Sequence, residues 1–192
     1  MIHKHAVTSV PVLDTIQQRW SPRAFDGSFE VPENALVAAF EAARWAPSAA
    51  NSQPARFVSA RRGSELFETI LAHLAASNAQ WACNASVLIS NIAETQKADG
   101  SELPWAVYDL GQAVAYFTIQ AHAEELAVHQ MGGFDADGLH AALGLPASQR
   151  IISVTALGAH TDPHTVDLAP HHLEQELGER QRHDLTNFVH RA

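Results

Sequence analysis

The sequence predicts an α+β fold, and three observations carry that expectation. Helix-like and strand-like runs follow one another without strict alternation, which argues against a doubly wound sheet. One long run, 105–126, is apolar on almost every helical face and reads as a helix buried on several sides, at the centre of the domain or at a dimer interface. Short β-rich runs at Val87-Leu88-Ile89 and Ile151–Leu157 read as strands. At 192 residues the chain fits one domain with a substantial core, so 1–192 is read as one unit. Within it, 1–13 is an N-terminal arm and about 162–192 a C-terminal extension.

Hydrophobic residues make up 46% and charged residues 17%, a charge-poor balance that suits burial of some surface against another subunit. The net charge of −9, with only twelve Lys and Arg, argues against a nucleic-acid partner. Only Lys4 and Lys97 are lysines, so nearly every fixed positive charge is an arginine, the better fork for a phosphate or carboxylate. Cys83 is the single cysteine; it excludes an internal disulfide and a cysteine-based zinc site, and reads as an inert buried thiol. With no signal-like start and no apolar run near 18 residues, the expectation is a soluble, cytoplasmic protein without a membrane partner.

Taken in order, Asp14 is placed to cap a short helix through Arg19, which Pro22 ends by forcing Ser21 into extended backbone. Pro32 opens an amphipathic helix carrying Leu36, Val37, Phe40 and Ala43 to about Trp45. Phe57–Ala60 is a strand, and Ser64 caps a helix that points Leu66, Phe67, Ile70, Leu71 and Leu74 at a core. After the long helix, Asp135 caps a helix that stops at Gly144 and Pro146. The tail holds His160, His164, His171 and His172, then a charged, helix-like segment with Arg180 and Arg182. Trp45, Trp81 and Trp105 read as core or interface residues, and His129 as a hydrogen-bonded core histidine.

Two stretches stand out for chemistry. Arg19, Ser21 and Arg23 place two guanidinium forks and a hydroxyl within five residues, suited to a phosphate or a carbonyl-rich ring, or else to ion pairs with Asp26 or Glu30. Ala46–Phe57 is small-residue-rich, bracketed by Pro47 and Pro54, with Ser48, Asn51, Ser52 and Gln53 as neutral hydrogen-bonding groups. A stiff turn of that kind can meet a flat polar ligand with amides, or serve only as a connection.

These stretches, with Gly132-Gly133-Phe134-Asp135 and Leu143-Gly144-Leu145 after the long helix, resemble the FMN-dependent nitroreductases in order and spacing over roughly residues 14–160. The resemblance implies a three-layer α+β fold, a central mixed sheet wrapped by helices, and an intertwined homodimer with FMN at its interface. Arg19, Trp20, Ser21 and Arg23 would hold the flavin from one subunit. Pro47, Ser48, Asn51 and Gln53 would line it, some from the partner. Met131, Gly132 and Gly133 would sit against the ring, with a backbone amide near its N5. Arg180 and Arg182 would close on the phosphate. The resemblance further implies a ping-pong cycle in which NADH or NADPH reduces the FMN and a small-molecule acceptor, such as a nitroaromatic or quinone, then takes the electrons. The chemistry would rest on the cofactor, with no protein catalytic residue and no metal. Three features depart from the family. Gly132 stands where classical members often carry Glu, the 162–179 tail has no clear counterpart, and the chain is short. Two other readings remain open at this stage: an FMN-binding or regulatory protein that does not turn over, and a metal-binding protein using the tail histidines.

Overall fold

The computed structural model describes residues 4–189. Thirteen short elements lie along the chain: α1 (Asp14–Gln18), α2 (Glu33–Arg44), a 3-10 turn (Ala49–Asn51), β1 (Ala55–Arg61), α3 (Glu65–Ala72), α4 (Ala76–Ala82), β2 (Val87–Glu94), α5 (Ala106–Ala123), β3 (Ala127–Met131), α6 (Ala136–Ala142), β4 (Gln149–Gly158), α7 (Pro170–Leu177) and α8 (Leu185–Phe188). The four strands form one sheet in the order β1-β2-β4-β3. Every pairing between them is antiparallel. The expected mixed sheet is therefore corrected to an antiparallel one within the described chain. A strand buried on both faces reads as a continuous apolar run whichever way its neighbours point, so polarity was not readable from composition.

The sheet is the middle of three layers. From β2, Val87 and Ile89 face a cluster with Ala35, Leu36 and Ala39 of α2 and Ala113, Phe117 and Ala121 of α5. Leu88 and Ile92 face the other way, onto Phe67 and Ile70 of α3, Trp81 of α4 and Leu139 of α6. This alternation is the period-two consequence of the pleat. Trp81, Phe67 and Ile70 are almost completely buried, and full burial of such a side chain contributes about 1.5–3 kcal/mol. Alanines on both α2 and α5 let these helices pack closely against each other on one face of the sheet.

Local signals set several element ends. Ser64 accepts the Phe67 amide at 3.2 Å and Asp135 accepts the Gly138 amide at 3.0 Å, both as read from the sequence. Asp14 instead occupies the first turn of α1, whose start has no side-chain cap. The α5 helix ends at Glu125, whose φ of 61° lets Leu126 N–H reach Ala121 O at 2.9 Å and turn the chain into β3. The expected run 105–126 does hold one long helix, α5 (Ala106–Ala123), yet its Val107, Tyr108 and Tyr116 are exposed in the single chain, as is Trp105 just before it. Arg180 and Arg182 lie in extended chain between α7 and α8, not in the helical segment expected there. Cys83 is exposed rather than buried: it sits at the end of α4 with its thiol toward Gln80 O at 3.3 Å. No helix among the described residues is long and apolar enough to cross a membrane.

Candidate functional site

The segment from Arg19 to Ala24 belongs to no helix or strand, so its shape depends on what grips it. Thr161 N–H donates to Ala24 O at 2.9 Å and Asp26 N–H to Ala159 O at 2.9 Å, docking the segment against the chain that leaves β4. His129 Nδ1 bonds Pro22 O at 2.9 Å, and its ring packs 4.6 Å from that of Trp81. Burial pushes His129 down to about 4, so it stays neutral and serves as a spacer. The Arg23 guanidinium lies 6.0 Å from the centre of Trp81, at the edge of cation–π range, and its buried Nε has no hydrogen-bond partner among the described residues. Trp20 packs edge-on to His160, with Lys4 Nζ 4.6 Å above its ring.

Arg19, Arg180 and Arg182 gather at the C-terminal end of α5. Burial and the neighbouring Arg182 hold the Arg19 pKa below the ordinary guanidinium value. Burial, then Arg19 and Arg182, do the same to Arg180. His122, in the last turn of α5, is lowered by burial and by Arg19 and Arg180. Arg180 is aimed by two bonds from its Nη1, to Lys4 O at 3.0 Å and Gln17 O at 2.7 Å. Arg19 Nη1 reaches Ser21 Oγ at 3.4 Å. Among the described residues the ion pairs of fixed charges are Arg44–Glu41 and Arg61–Glu33, so none of these arginines is paired, and the pairing of Arg19 or Arg23 with Asp26 or Glu30 is not found. Three guanidiniums set together without an ion pair make a locally positive surface suited to an anion.

Gly132 and Gly133 follow β3 on the same side of the molecule as Trp81. Asn78, one turn before Trp81 on α4, donates its amide to Gly133 O at 3.0 Å, and Ala75 N–H donates to the same oxygen at 3.0 Å. Neither glycine has a positive φ, so their value is room. A Cβ on Gly133 would meet Asn78 Nδ2 at 3.0 Å, whereas Gly132 is exposed with nothing within 4 Å of where a Cβ would stand. Met131 is buried in the core, which leaves its backbone as the part within reach of a ligand. Asn78 was not singled out by its sequence context, because an Asn inside a polar helical stretch carries no local signal.

The proline-bracketed turn is elsewhere. Ala49 N–H donates to Asp109 Oδ2 at 3.0 Å and Gln112 Nε2 reaches Pro47 O at 3.5 Å, tying the turn to the N-terminal half of α5. From Asp109 to His122 the helix rises about 20 Å at ~1.5 Å per residue. One chain therefore does not bring Ser48, Asn51 and Gln53 to Arg19 and Arg180. Ala50, Asn51 and Gln53 have φ of 51°, 55° and 48°, a left-handed run without glycine. Ser48 holds that shape, its Oγ accepting the Gln53 amide at 3.0 Å, and Gln53 Nε2 donates to Asn51 O at 3.2 Å. The Asn51 side chain is exposed and makes no hydrogen bond among the described residues, so it is the group free to meet a ligand. Beneath the turn lies a cleft of about 250 Å³ walled by Phe40, Pro47, Gln53, Phe57 and Asp109. Ligand pockets run to roughly 300–1,000 Å³, so this is one wall of a site rather than a complete one.

The tail histidines do not converge. His160 pairs with Glu176 and His171 packs on His172. Among the described residues no group of three or more His, Cys, Asp or Glu side chains could hold a metal ion.

Against known proteins, the Nitroreductase family model matches residues 16–88 and 73–159. A solved structure of an oxidoreductase containing FMN is 34% identical with a TM-score of 0.89, covering 96% of this chain and 93% of that one. The fold also matches an FMN complex of a nitroreductase-like protein from Desulfovibrio desulfuricans, at a TM-score of 0.76 and 24% identity over 96% of this chain and 98% of that one. Among curated sequences, an uncharacterised 15.4 kDa protein of the ask 5′ region of Mycolicibacterium smegmatis is 36% identical over 122 residues, 59% of this chain and 81% of that protein. The antiparallel sheet between helical layers and the two matched segments agree: the chain belongs to the nitroreductase family.

Proposed function

We propose that this protein is an FMN-dependent oxidoreductase that takes electrons from NADH or NADPH and passes them to a small acceptor such as a nitroaromatic or quinone. The observation that carries the reading is the unpaired arginine cluster at the end of α5, whose charge suits a phosphate dianion. Gly132, with open space over its backbone, leaves room for a flat ring, and the orphaned Arg23 Nε is a donor in want of an acceptor among the described residues. Bound FMN supplies the redox chemistry. The chain's part is to bind and orient it: Arg19, Arg180 and Arg182 hold the phosphate, Ser21 meets the polar side chain of the cofactor, and half-buried Arg23 sets a fixed positive charge at the ring edge. Trp81 and His129, packed behind Arg23, keep water from that face.

A second copy of the chain completes the reading. The turn at one end of α5 and the arginines at the other would meet across a two-fold axis through the middle of that helix, each chain lending its turn to the other's arginines. The exposed Tyr108, Gly111, Ala115 and Tyr116 on α5 give such a partner a surface of small and aromatic residues to cover. The test is anaerobic: reconstitute with FMN, add NADH, then NADPH, and follow the yellow absorbance. Bleaching with either donor and its return on adding a quinone or nitroaromatic is the expected result. Colour that persists with both donors contradicts turnover and leaves only a flavin-binding protein.

A further inference from the structure

We propose that Glu176, on α7, is a positioning residue for the flavin site: its buried carboxylate holds the Arg23 backbone in the shape that turns Arg19, Ser21 and Arg23 toward one ligand. The inference rests on the reading of those residues as flavin contacts. Glu176 is 0% exposed. Both of its oxygens are engaged by the segment, Oε2 accepting Arg23 N–H at 3.0 Å and Oε1 accepting Arg23 N–H at 3.2 Å and Ala24 N–H at 3.1 Å. His160 Nε2 stands 3.3 Å from Oε1 on the far side. Burial alone would raise this carboxyl, but the Arg23 and Ala24 amide bonds, with the His160 ring beside it, prevail and hold it below its ordinary value, so it is charged.

The end of α7 is pinned in turn. Lys4 Nζ donates to Gln175 O at 2.8 Å and Glu176 O at 3.1 Å while lying over the Trp20 ring. Arg180, four residues on, returns its two bonds to Lys4 O and Gln17 O. The C-terminal extension thus clasps the arginine segment from both ends. Two amides in a row pointing at one buried acceptor are what fix the local backbone. Without it they would be left unpaired in the interior, and the segment has no helix or strand of its own to restore them. A negative charge beneath an anion site does not help bind the anion, so the gain from Glu176 is geometric.

That argument separates the variants. Glu176→Gln keeps one oxygen, which at the Oε1 position can still accept both the Arg23 and Ala24 amides, and gives up the charge and the second acceptor at Oε2. Glu176→Ala loses the acceptor. FMN titration of the apo-protein by flavin fluorescence quenching is expected to show Glu176→Ala weakened tenfold or more, and Glu176→Gln within about threefold of wild type or tighter. Hydrogen exchange on the same apo-proteins is expected to show the Arg23 and Ala24 amides losing protection in Glu176→Ala and keeping it in Glu176→Gln. A folded Glu176→Ala protein with wild-type affinity and protection overturns the inference. If Glu176→Ala does not fold, a Glu176→Gln protein that keeps wild-type protection at Arg23 and Ala24 yet binds FMN tenfold more weakly overturns it instead, because the loss is then not geometric. Wild-type protein that binds no FMN overturns the flavin reading alone, because the exchange result then still reports whether Glu176 holds the segment.

Discussion

Around Arg23 the polar groups are fixed by contacts that span the chain. Glu176 reaches back 153 residues to it, His129 reaches Pro22, and Arg180 ties the tail to Lys4 and Gln17. The 46–54 turn is fixed mostly by itself, with Ser48 and Asn51 bonding Gln53, while the Asp109 and Gln112 contacts tie it to α5 and the Glu94 amide reaches Pro54 O at its end. The first region is a set of charges held by tertiary structure; the second is a strained backbone shape written into five neighbouring residues. A site that needs both must join something globally built to something locally built, and the length of α5 keeps the two apart within one chain.

The largest effect should come from breaking the charged side of that pair. Arg19→Ala combined with Arg180→Ala is expected to weaken FMN binding more than about a hundredfold, since each charge-assisted bond to an anion contributes roughly 1.5–3 kcal/mol. The fold should persist, because neither side chain is in the core. Isothermal titration beside a thermal melt checks both points, and unchanged affinity would remove the anion site.

Acid should loosen the same region. His129 is held down to about 4, so between its ordinary value near 6.5 and 4 the unfolded chain binds a proton that the folded chain refuses. Its contribution is therefore complete above pH 6.5 and lost as pH falls toward 4, by about 3 kcal/mol at ~1.4 kcal/mol per unit. Glu176 acts in the same direction at lower pH: its lowered pKa stabilises above the usual glutamate range and that stability disappears as pH drops through the folded value. Urea melts at pH 7 and pH 4.5 should show the loss, and a His129→Gln variant should flatten its upper part. A wild-type profile that is level over that range contradicts the account of His129.

Smaller changes belong to the turn. Ser48→Ala removes the acceptor for the Gln53 amide and should cost about 1 kcal/mol. Ala50→Gly relieves a left-handed residue and should stabilise by up to about 1 kcal/mol. Thermal melts decide both, and a Gly variant that melts lower than wild type would show that the positive φ is not a strain on the fold.

The two regions also differ in how far the sequence disclosed them. The turn was visible as a unit because prolines, small residues and amides stand side by side, and even its bond pattern is local. Arg19, Ser21 and Arg23 are visible as residue types, but what shapes them is not: Glu176 and His160 lie far along the chain, and a lone acid in a charged tail has no local signature. The caps at Ser64 and Asp135 were readable for the same reason as the turn. Strand β3, Ala-Val-His-Gln-Met, was not assigned as a strand, since His129 and Gln130 interrupt its apolar run and its place in the sheet is set by β4. The sheet's antiparallel sense and the exposure of Cys83 likewise depend on neighbours brought together only by folding.

The central claim is that the arginines of one chain and the 46–54 turn of another make one flavin site. Two defective chains test it most directly: one carrying Arg19→Ala and Arg180→Ala, the other Ser48→Ala, Asn51→Ala and Gln53→Ala. Each alone is expected to bind little FMN. Co-expressed with different tags and purified through both, the mixed dimer has one site with every intact part, and the account predicts one FMN for each pair of chains. A mixed dimer as empty as its parents, or a monomer in solution that binds FMN with wild-type affinity, would contradict it.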